Sequence, residues 1–249
     1  MAKLRAAVLA AGRGVRMGGA EVKTLLPLDS DAPLLAHILS GLERSGVTDV
    51  LMVTGFRPDT IQQFCDGYDG KISFSFVFNA RYASWGNFHS VRVALDQSPG
   101  YDVLVVNSDV VVNPEVYGRV VRSGGDLVLA VQRRHRLDEE DMKVQLERRK
   151  VLAVGKGLKL RHSHGEFAGI SLIRPTAVRL YQDLCNELQW RGHTQGYYED
   201  VYAEMIGRIS TRMADVGAGE YAEVDKPEDV RAAVEVVRRF YGEPAAANA

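Results

Sequence analysis

The chain has 249 residues, 46% hydrophobic and 25% charged, with a formal net charge of -1. That composition fits one large α/β domain with a sizeable core and excludes a global field that would draw the chain to nucleic acid or an anionic membrane. No apolar run approaches the roughly 18 residues of a membrane span, and Cys65 and Cys185 lie far apart without a CxxC, so neither a disulfide framework nor a zinc site is expected. Two isolated thiols suit a reduced, cytoplasmic protein. The apolar stretch 6–11 is too short for a signal peptide, and Arg13 and Arg16 follow at once. Nucleic-acid and membrane partners are not expected, and nothing indicates an oligomer.

In chain order, residues 4–10 form a short apolar run closed by glycine, the pattern of a buried strand. Residues 34–44 carry Leu35, Ile38, Leu39 and Leu42 on one helical face, with Gly46 as the stop. Residues 48–54 read as a second buried strand, and 58–65 as a short helix entered through Arg57-Pro58. Residues 73–78 alternate like a strand, 88–95 are helical, and 102–106 are an apolar strand. Asn113-Pro114 supplies a cap and a first-turn proline for another helix, before a strand over 126–131. This βα alternation predicts a Rossmann-like, three-layer α/β/α fold with a mostly parallel mixed sheet, whose ligands belong at the carboxyl ends of the strands.

After Arg133 the texture changes. Residues 143–146 and 151–154 read as a hairpin around Arg148-Arg149. A strand over 165–173, helices over 175–188 and 198–209, a strand over 211–216 and an amphipathic helix over 226–240 follow. The tail 242–249 has nothing to bury and reads as disordered. No repeat or linker divides the chain, so it reads as one domain over 1–241 with a small insertion over the acceptor site.

The first strand runs into Ala10-Ala11-Gly12-Arg13-Gly14-Val15-Arg16-Met17-Gly18-Gly19, and Lys23-Thr24-Leu25-Leu26-Pro27-Leu28 comes next. Glycines let the backbone approach a ligand and present its amides, while Arg and Lys add donors suited to phosphate. The Walker spacing is absent, and Gly12-x-Gly14-x-x-Met17 lacks the third small residue of a dinucleotide fingerprint. The residues propose a nucleoside triphosphate over the end of the first strand; the plainer alternative is a glycine-rich turn. Asp109, after Asn107-Ser108 at a strand end, suits Mg²⁺ or a helix cap. Asp225, after Glu223-Val224, suits Mg²⁺ or an N-cap. Glu223, two residues before it, should point the same way.

The pattern Leu-Ala-Ala-Gly-x-Gly-x-Arg-Met with Lys23 and Leu-Pro-Leu resembles the signature of the MobA-like and sugar-nucleotidyltransferase superfamily. The middle of the chain is similar to the cytidylyltransferases that act on phosphocholine and on phosphonates. The residues that carry this are Asn79-Ala80-Arg81-Tyr82, Trp85-Gly86-Asn87-Phe88-His89-Ser90, Asp141-Met142-Lys143-Val144, Lys156 and Gly165-Glu166-Phe167-Ala168-Gly169. The resemblance spans residues 4–240 and implies Mg²⁺ held between Asp109 and Asp225. It implies CTP bound by Leu9, Ala10, Ala11, Gly12, Gly14, Asn79, Asn87, Ser90 and Ser108. Arg13 and Lys23 would neutralise the triphosphate. The implied reaction transfers CMP to a small phosphonate or phosphate and releases pyrophosphate, mainly by positioning and charge neutralisation.

For the acceptor, Arg133, Lys143, Lys156, Glu166, Tyr198, Asp200 and Glu223 are the candidates. Arg133-Arg134-His135-Arg136 follows a strand that should open near the site, and His89, His162 and His164 are further cationic donors. If that run faces the site, it favours an acidic phosphonate over phosphocholine; the alternative is a solvated loop. Other readings are a phosphocholine cytidylyltransferase, whose aromatic and acidic cage for a quaternary ammonium Tyr197, Tyr198, Glu199 and Asp200 could supply in part, with Trp190 near in sequence, a uridylyl- or guanylyltransferase for a sugar phosphate, and a nucleotide-binding regulator without catalysis.

Overall fold

The computed structural model describes residues 3–14, 22–29, 32–134 and 136–242. Arg16, Met17 and the second glycine pair of the loop, together with His135 and the tail 243–249, lie outside the described residues. The first strand is β1 (Lys3–Ala10), followed by the small ribbon β2 (Pro27–Asp29) and β3 (Ala32–Pro33), helix α1 (Leu34–Arg44), β4 (Asp49–Thr54) and α2 (Pro58–Asp66). Next come β5 (Ser73–Phe78), α3 (Phe88–Asp96), β6 (Tyr101–Asn107), β7 (Val110–Val112), α4 (Glu115–Arg122) and β8 (Leu127–Arg133). The last stretch has the hairpin β9 (Lys143–Glu147) and β10 (Lys150–Val154), then β11 (Gly165–Ile173), α5 (Pro175–Trp190) and α6 (Tyr198–Met205). It ends in β12 (Thr211–Val216), β13 (Tyr221–Glu223) and α7 (Val230–Tyr241).

Nine strands form one mixed sheet in the order β5-β4-β1-β6-β11-β8-β12-β10-β9. β1 is parallel to β4 and β6, β4 to β5, and β8 to β12. β11 runs against both β6 and β8, so its start lies at the edge of the sheet where β6 ends. β9 pairs with β10 and also with Gly165 and Glu166 of β11, so the hairpin folds back over that same edge.

The two-residue period of β1 divides the core. Ala6, Val8 and Ala10 face one cluster, built with α1, α4 and α7. Ala7 and Leu9 face the other, built with α3, α5 and α6. Helices on both faces are what strands this uniformly apolar require. Tyr117 on one side and Tyr181, Tyr198 and Tyr202 on the other are fully buried, each contributing on the order of 1.5–3 kcal/mol of apolar burial.

Two expected elements end differently. The helix over 198–209 stops at Met205, because Ile206 turns extended, Gly207 takes a positive φ of 89°, and Ile206 forms a bridge to Ile209. The helix over 226–240 begins as a 3-10 turn, Pro227–Asp229, before α7. Both cysteines are free and buried, and among the described residues no helix is long and apolar enough to cross a membrane.

Candidate active site

The site is assembled by a short ribbon outside the main sheet. β6 ends at Asn107, and Ser108-Asp109 turn the chain into β7. β7 pairs antiparallel with β13, setting Glu223 opposite Val110, and the Val224 amide donates to the Asp109 carbonyl at 2.8 Å. Val224 is buried, so its neighbours Glu223 and Asp225 turn together toward Asp109. Carboxylate oxygens of Asp109, Glu223 and Asp225 come within 4.8 Å of one another.

Lys23 reaches across this cluster. Its Nζ donates to Asp225 Oδ1 at 2.7 Å and to Asp109 Oδ2 at 3.1 Å. Burial alone would lower the Lys23 pKa, but the two carboxylates outweigh it and hold the ammonium above its ordinary value. Burial, followed by the charges of Asp109 and Asp225, raises Glu223 as well, toward the protonated acid. Asp109 Oδ1 is buried with no hydrogen-bond partner. Converging hard oxygen donors with an orphaned oxygen fit a divalent cation of the Mg²⁺ type.

On one side of the cluster lies a cavity of about 360 Å³ over the end of β1. Its walls include the expected Leu9, Ala10, Ala11, Gly12, Gly14, Asn87, Ser90 and Ser108, together with Lys23, Asp109 and Asp225. Gly14 has a φ of 57°, and a Cβ there would come 2.7 Å from Lys23 Cβ, so this glycine allows both the turn and the approach of Lys23. Asn79 does not line the cavity. It is 1% exposed and donates through Nδ2 to Ser90 Oγ at 2.9 Å, which fixes the serine. Arg13 stands outside the walls, exposed, with its guanidinium 5.5 Å from the centre of the Phe56 ring.

On the other side, sharing Asn87, Asn107, Asp109 and Asp225, lies a cavity of about 700 Å³. Lys156, Glu166 and Glu223 line it as expected. The Lys156 ammonium is paired with Glu140 at 3.3 Å and sits 5.6 Å over the Tyr197 ring. Gly169, at a φ of 68° in a bulge of β11, brings the backbone close against Asn107 on the same wall.

Four expected acceptor residues are placed elsewhere. Arg133 turns to the far face of the strand, donating to the Arg148 carbonyl at 2.7 Å and pairing with Asp215. Lys143 is fully buried, and its ammonium is spent on the carbonyls of Glu139, Asp141 and Asp138. Tyr198 is buried and works behind the wall: its amide donates to Asn87 Oδ1 at 2.9 Å and its hydroxyl to Asn107 Oδ1 at 2.8 Å. Asp200 accepts the Tyr197 amide at 2.7 Å and caps α6. Of the histidines, His89 is held neutral-leaning by burial and by nearby arginines, and His164 accepts the Leu146 amide through Nδ1.

The acidic-acceptor expectation rested on the basic run facing the cavity. Of its described residues only Arg134 does, and it is paired with Glu166 at 2.9 Å in a contact that is ionic without hydrogen-bond geometry. Nine carboxylate residues and three cationic ones line this cavity, so its sign is the reverse of the one expected. Burial pushes the Glu166 carboxyl up to about 7, against the pull of Arg134 and with Asp141 and Asp138 adding to it. Glu199, expected from the sequence only as part of a cage for phosphocholine, also lines the cavity; burial pushes its carboxyl to about 8.

Fold and site together define a Rossmann-like nucleotidyltransferase domain. The chain belongs to the family of MobA-like NTP transferase domains, which matches residues 6–189. It is 30% identical, over 92% of its length, to CMP-5'-(3-aminopropyl)phosphonate synthase of Streptomyces rubellomurinus, and it spans 38% of that protein's length. It is 24% identical to the 2-aminoethylphosphonate cytidylyltransferase of Lancefieldella rimae, covering 92% of each chain. Its fold is similar to that of the inositol-1-phosphate CTP transferase from T. maritima, with a TM-score of 0.80, 18% identity, and coverage of 95% of this chain and 97% of the other.

Proposed function

We propose that this chain transfers CMP from CTP to a small phosphonate or phosphate that carries an ammonium group. An acceptor oxygen attacks the α-phosphorus, the α–β P–O bond breaks, and pyrophosphate leaves with the electron pair. The nucleophile is already an anion, so no general base is required. The observation that carries the reading is the meeting of the two cavities at Asp109 and Asp225, one walled by the Leu9–Gly12 backbone, Asn87, Ser90 and Lys23, the other rich in carboxylates. The named activities of the Streptomyces and Lancefieldella relatives, both with aminophosphonates, support the same choice.

Asn87 and Ser90, with the backbone from Leu9 to Gly12, would meet the edge of the base, where a pyrimidine needs few but well-aimed donors and acceptors. Asp109, Asp225 and Glu223 would hold Mg²⁺, which when bound supplies charge neutralisation at the reacting phosphates. Lys23 would turn its ammonium to the triphosphate, and Arg13, exposed between the lining residues Gly12 and Gly14, would close over it. Lys156, Lys226 and Arg134 supply the positive charge that an acceptor phosphonate requires within an otherwise acidic cavity.

The test is incubation of the chain with Mg²⁺, 2-aminoethylphosphonate and each of CTP, UTP, GTP and ATP, with pyrophosphate release and product mass as readouts. CTP should be used with a kcat/KM at least about tenfold above the others, the scale of one lost pairing contact. Preference for UTP or GTP would overturn the nucleotide assignment, and binding without turnover would favour a regulator.

A further inference from the structure

Resting on that reading of the acceptor cavity, we infer that Glu199 is the residue that recognises the acceptor's ammonium, and that it selects an ammonium bearing N–H donors over a trimethylammonium. Glu199 lies in the first turn of α6 and is 5% exposed, yet it forms part of the cavity wall. Its Oε2 is buried with no hydrogen-bond donor. A buried carboxyl oxygen left unpaired carries a desolvation cost, and a ligand that donates to it removes that cost.

The backbone that carries Glu199 is held on both sides. Tyr198 before it is fully buried and locked to Asn87 and Asn107, and Asp200 after it caps the helix. Gly86, beside Asn87, donates its amide to the Thr194 carbonyl at 2.7 Å and lies so close to Gly196 that a methyl group would collide with the Gly196 carbonyl. The start of α6 is therefore fixed against the loop that carries Asn87.

The wall offers little to a quaternary ammonium. Such a cation cannot donate a hydrogen bond and relies on exposed aromatic faces. The aromatic residues of the cavity are Phe167 and Tyr221, both largely buried, and Tyr197, whose ring already carries the Lys156 ammonium. A primary ammonium has three donors and is small enough to approach a single carboxylate oxygen closely. Burial holds the Glu199 carboxyl near 8, so an arriving ammonium also favours its ionised form.

The test is steady-state kinetics with CTP and three matched acceptors: 2-aminoethylphosphonate, its N,N,N-trimethyl analogue and 2-hydroxyethylphosphonate. The wild-type chain should prefer the primary amine to the trimethyl analogue by at least about tenfold in kcat/KM. Glu199→Gln keeps the shape and removes the charge. It should raise KM for the amine by about tenfold or more, with kcat little changed, and leave KM for the hydroxyl compound nearly constant. Equal losses for all three acceptors, an unchanged KM for the amine, or a wild-type preference for the trimethyl analogue would overturn the assignment while leaving CMP transfer standing. Absence of wild-type turnover with any acceptor would overturn both.

Discussion

The Lys23 ammonium lies 2.7 Å from the Asp225 carboxylate, although the two residues stand at opposite ends of the chain. The ribbon of β7 and β13 makes this possible, because it delivers Asp225 beside Asp109 while Gly14 leaves room for Lys23. One cation thus offsets two carboxylates that would otherwise repel each other. Lys23→Ala should lower kcat by about a hundredfold, the scale of losing one preorganised donor to developing charge. The affinity for CMP should change little, since the proposed base contacts, Asn87 and Ser90, lie elsewhere in the cavity. Equal losses in kcat and in CMP affinity would place Lys23 on the base instead.

Asp109→Ala and Asp225→Ala should each abolish Mg²⁺-dependent turnover without unfolding the chain. Each side chain is only partly buried, and the survivor remains paired with Lys23. Loss of a metal carboxylate removes several kcal/mol of transition-state stabilisation, on the order of a thousandfold or more in kcat. Circular dichroism of each variant checks the fold. Near-normal turnover in either one would exclude that residue from the metal set.

Glu166 makes stability depend on pH. Its carboxyl titrates near 4.5 when unfolded and is pushed up to about 7 in the folded chain by burial. Between those values the folded chain binds the proton and the unfolded chain does not, so stability falls as pH rises through the window. For one group shifted this far the loss is on the order of 3 kcal/mol. Glu166→Gln should flatten that part of the pH–stability curve and be the more stable protein at pH 8. Parallel curves for the two proteins, measured by urea unfolding, would contradict the burial of this carboxyl.

Gly86→Ala should damage both cavities at once. The added methyl would meet the Gly196 carbonyl and push the start of α6 from the loop that holds Asn87. Overpacking of this kind costs about 1–3 kcal/mol. KM should rise for CTP and for the acceptor together, whereas a change confined to one substrate would show that the two walls are not coupled through this contact.

Most of the fold can be read from the sequence because its strands are short apolar runs and its helices carry one apolar face. Residues 73–78, 165–173 and 211–216 form strands with the expected bounds. Ile206 to Ile209 escaped because their apolar character extends the helical pattern, while the turn depends on Gly207. The acceptor wall was harder for a related reason. Arg133 is the last residue of β8 and Arg134 lies just beyond it, so the basic run straddles a strand end and has no single direction that the sequence alone could give. Lys143 shows the same limit: its charge is visible in the sequence, but the three carbonyls that take it are brought together by a loop. Asp109, Glu223 and Asp225 were legible as a set through a family resemblance and the two-residue period of a strand, not through any local signal.

The most direct test of CMP transfer to an ammonium-bearing acceptor is the ratio of kcat/KM for 2-aminoethylphosphonate to that for phosphonoacetate, with CTP and Mg²⁺ fixed. The two acceptors match in size and differ in the sign of the group at the far end. A cavity lined mainly by carboxylates should favour the amine by at least about a hundredfold, since like charges brought together out of water cost several kcal/mol. An equal or higher value for phosphonoacetate would contradict the account.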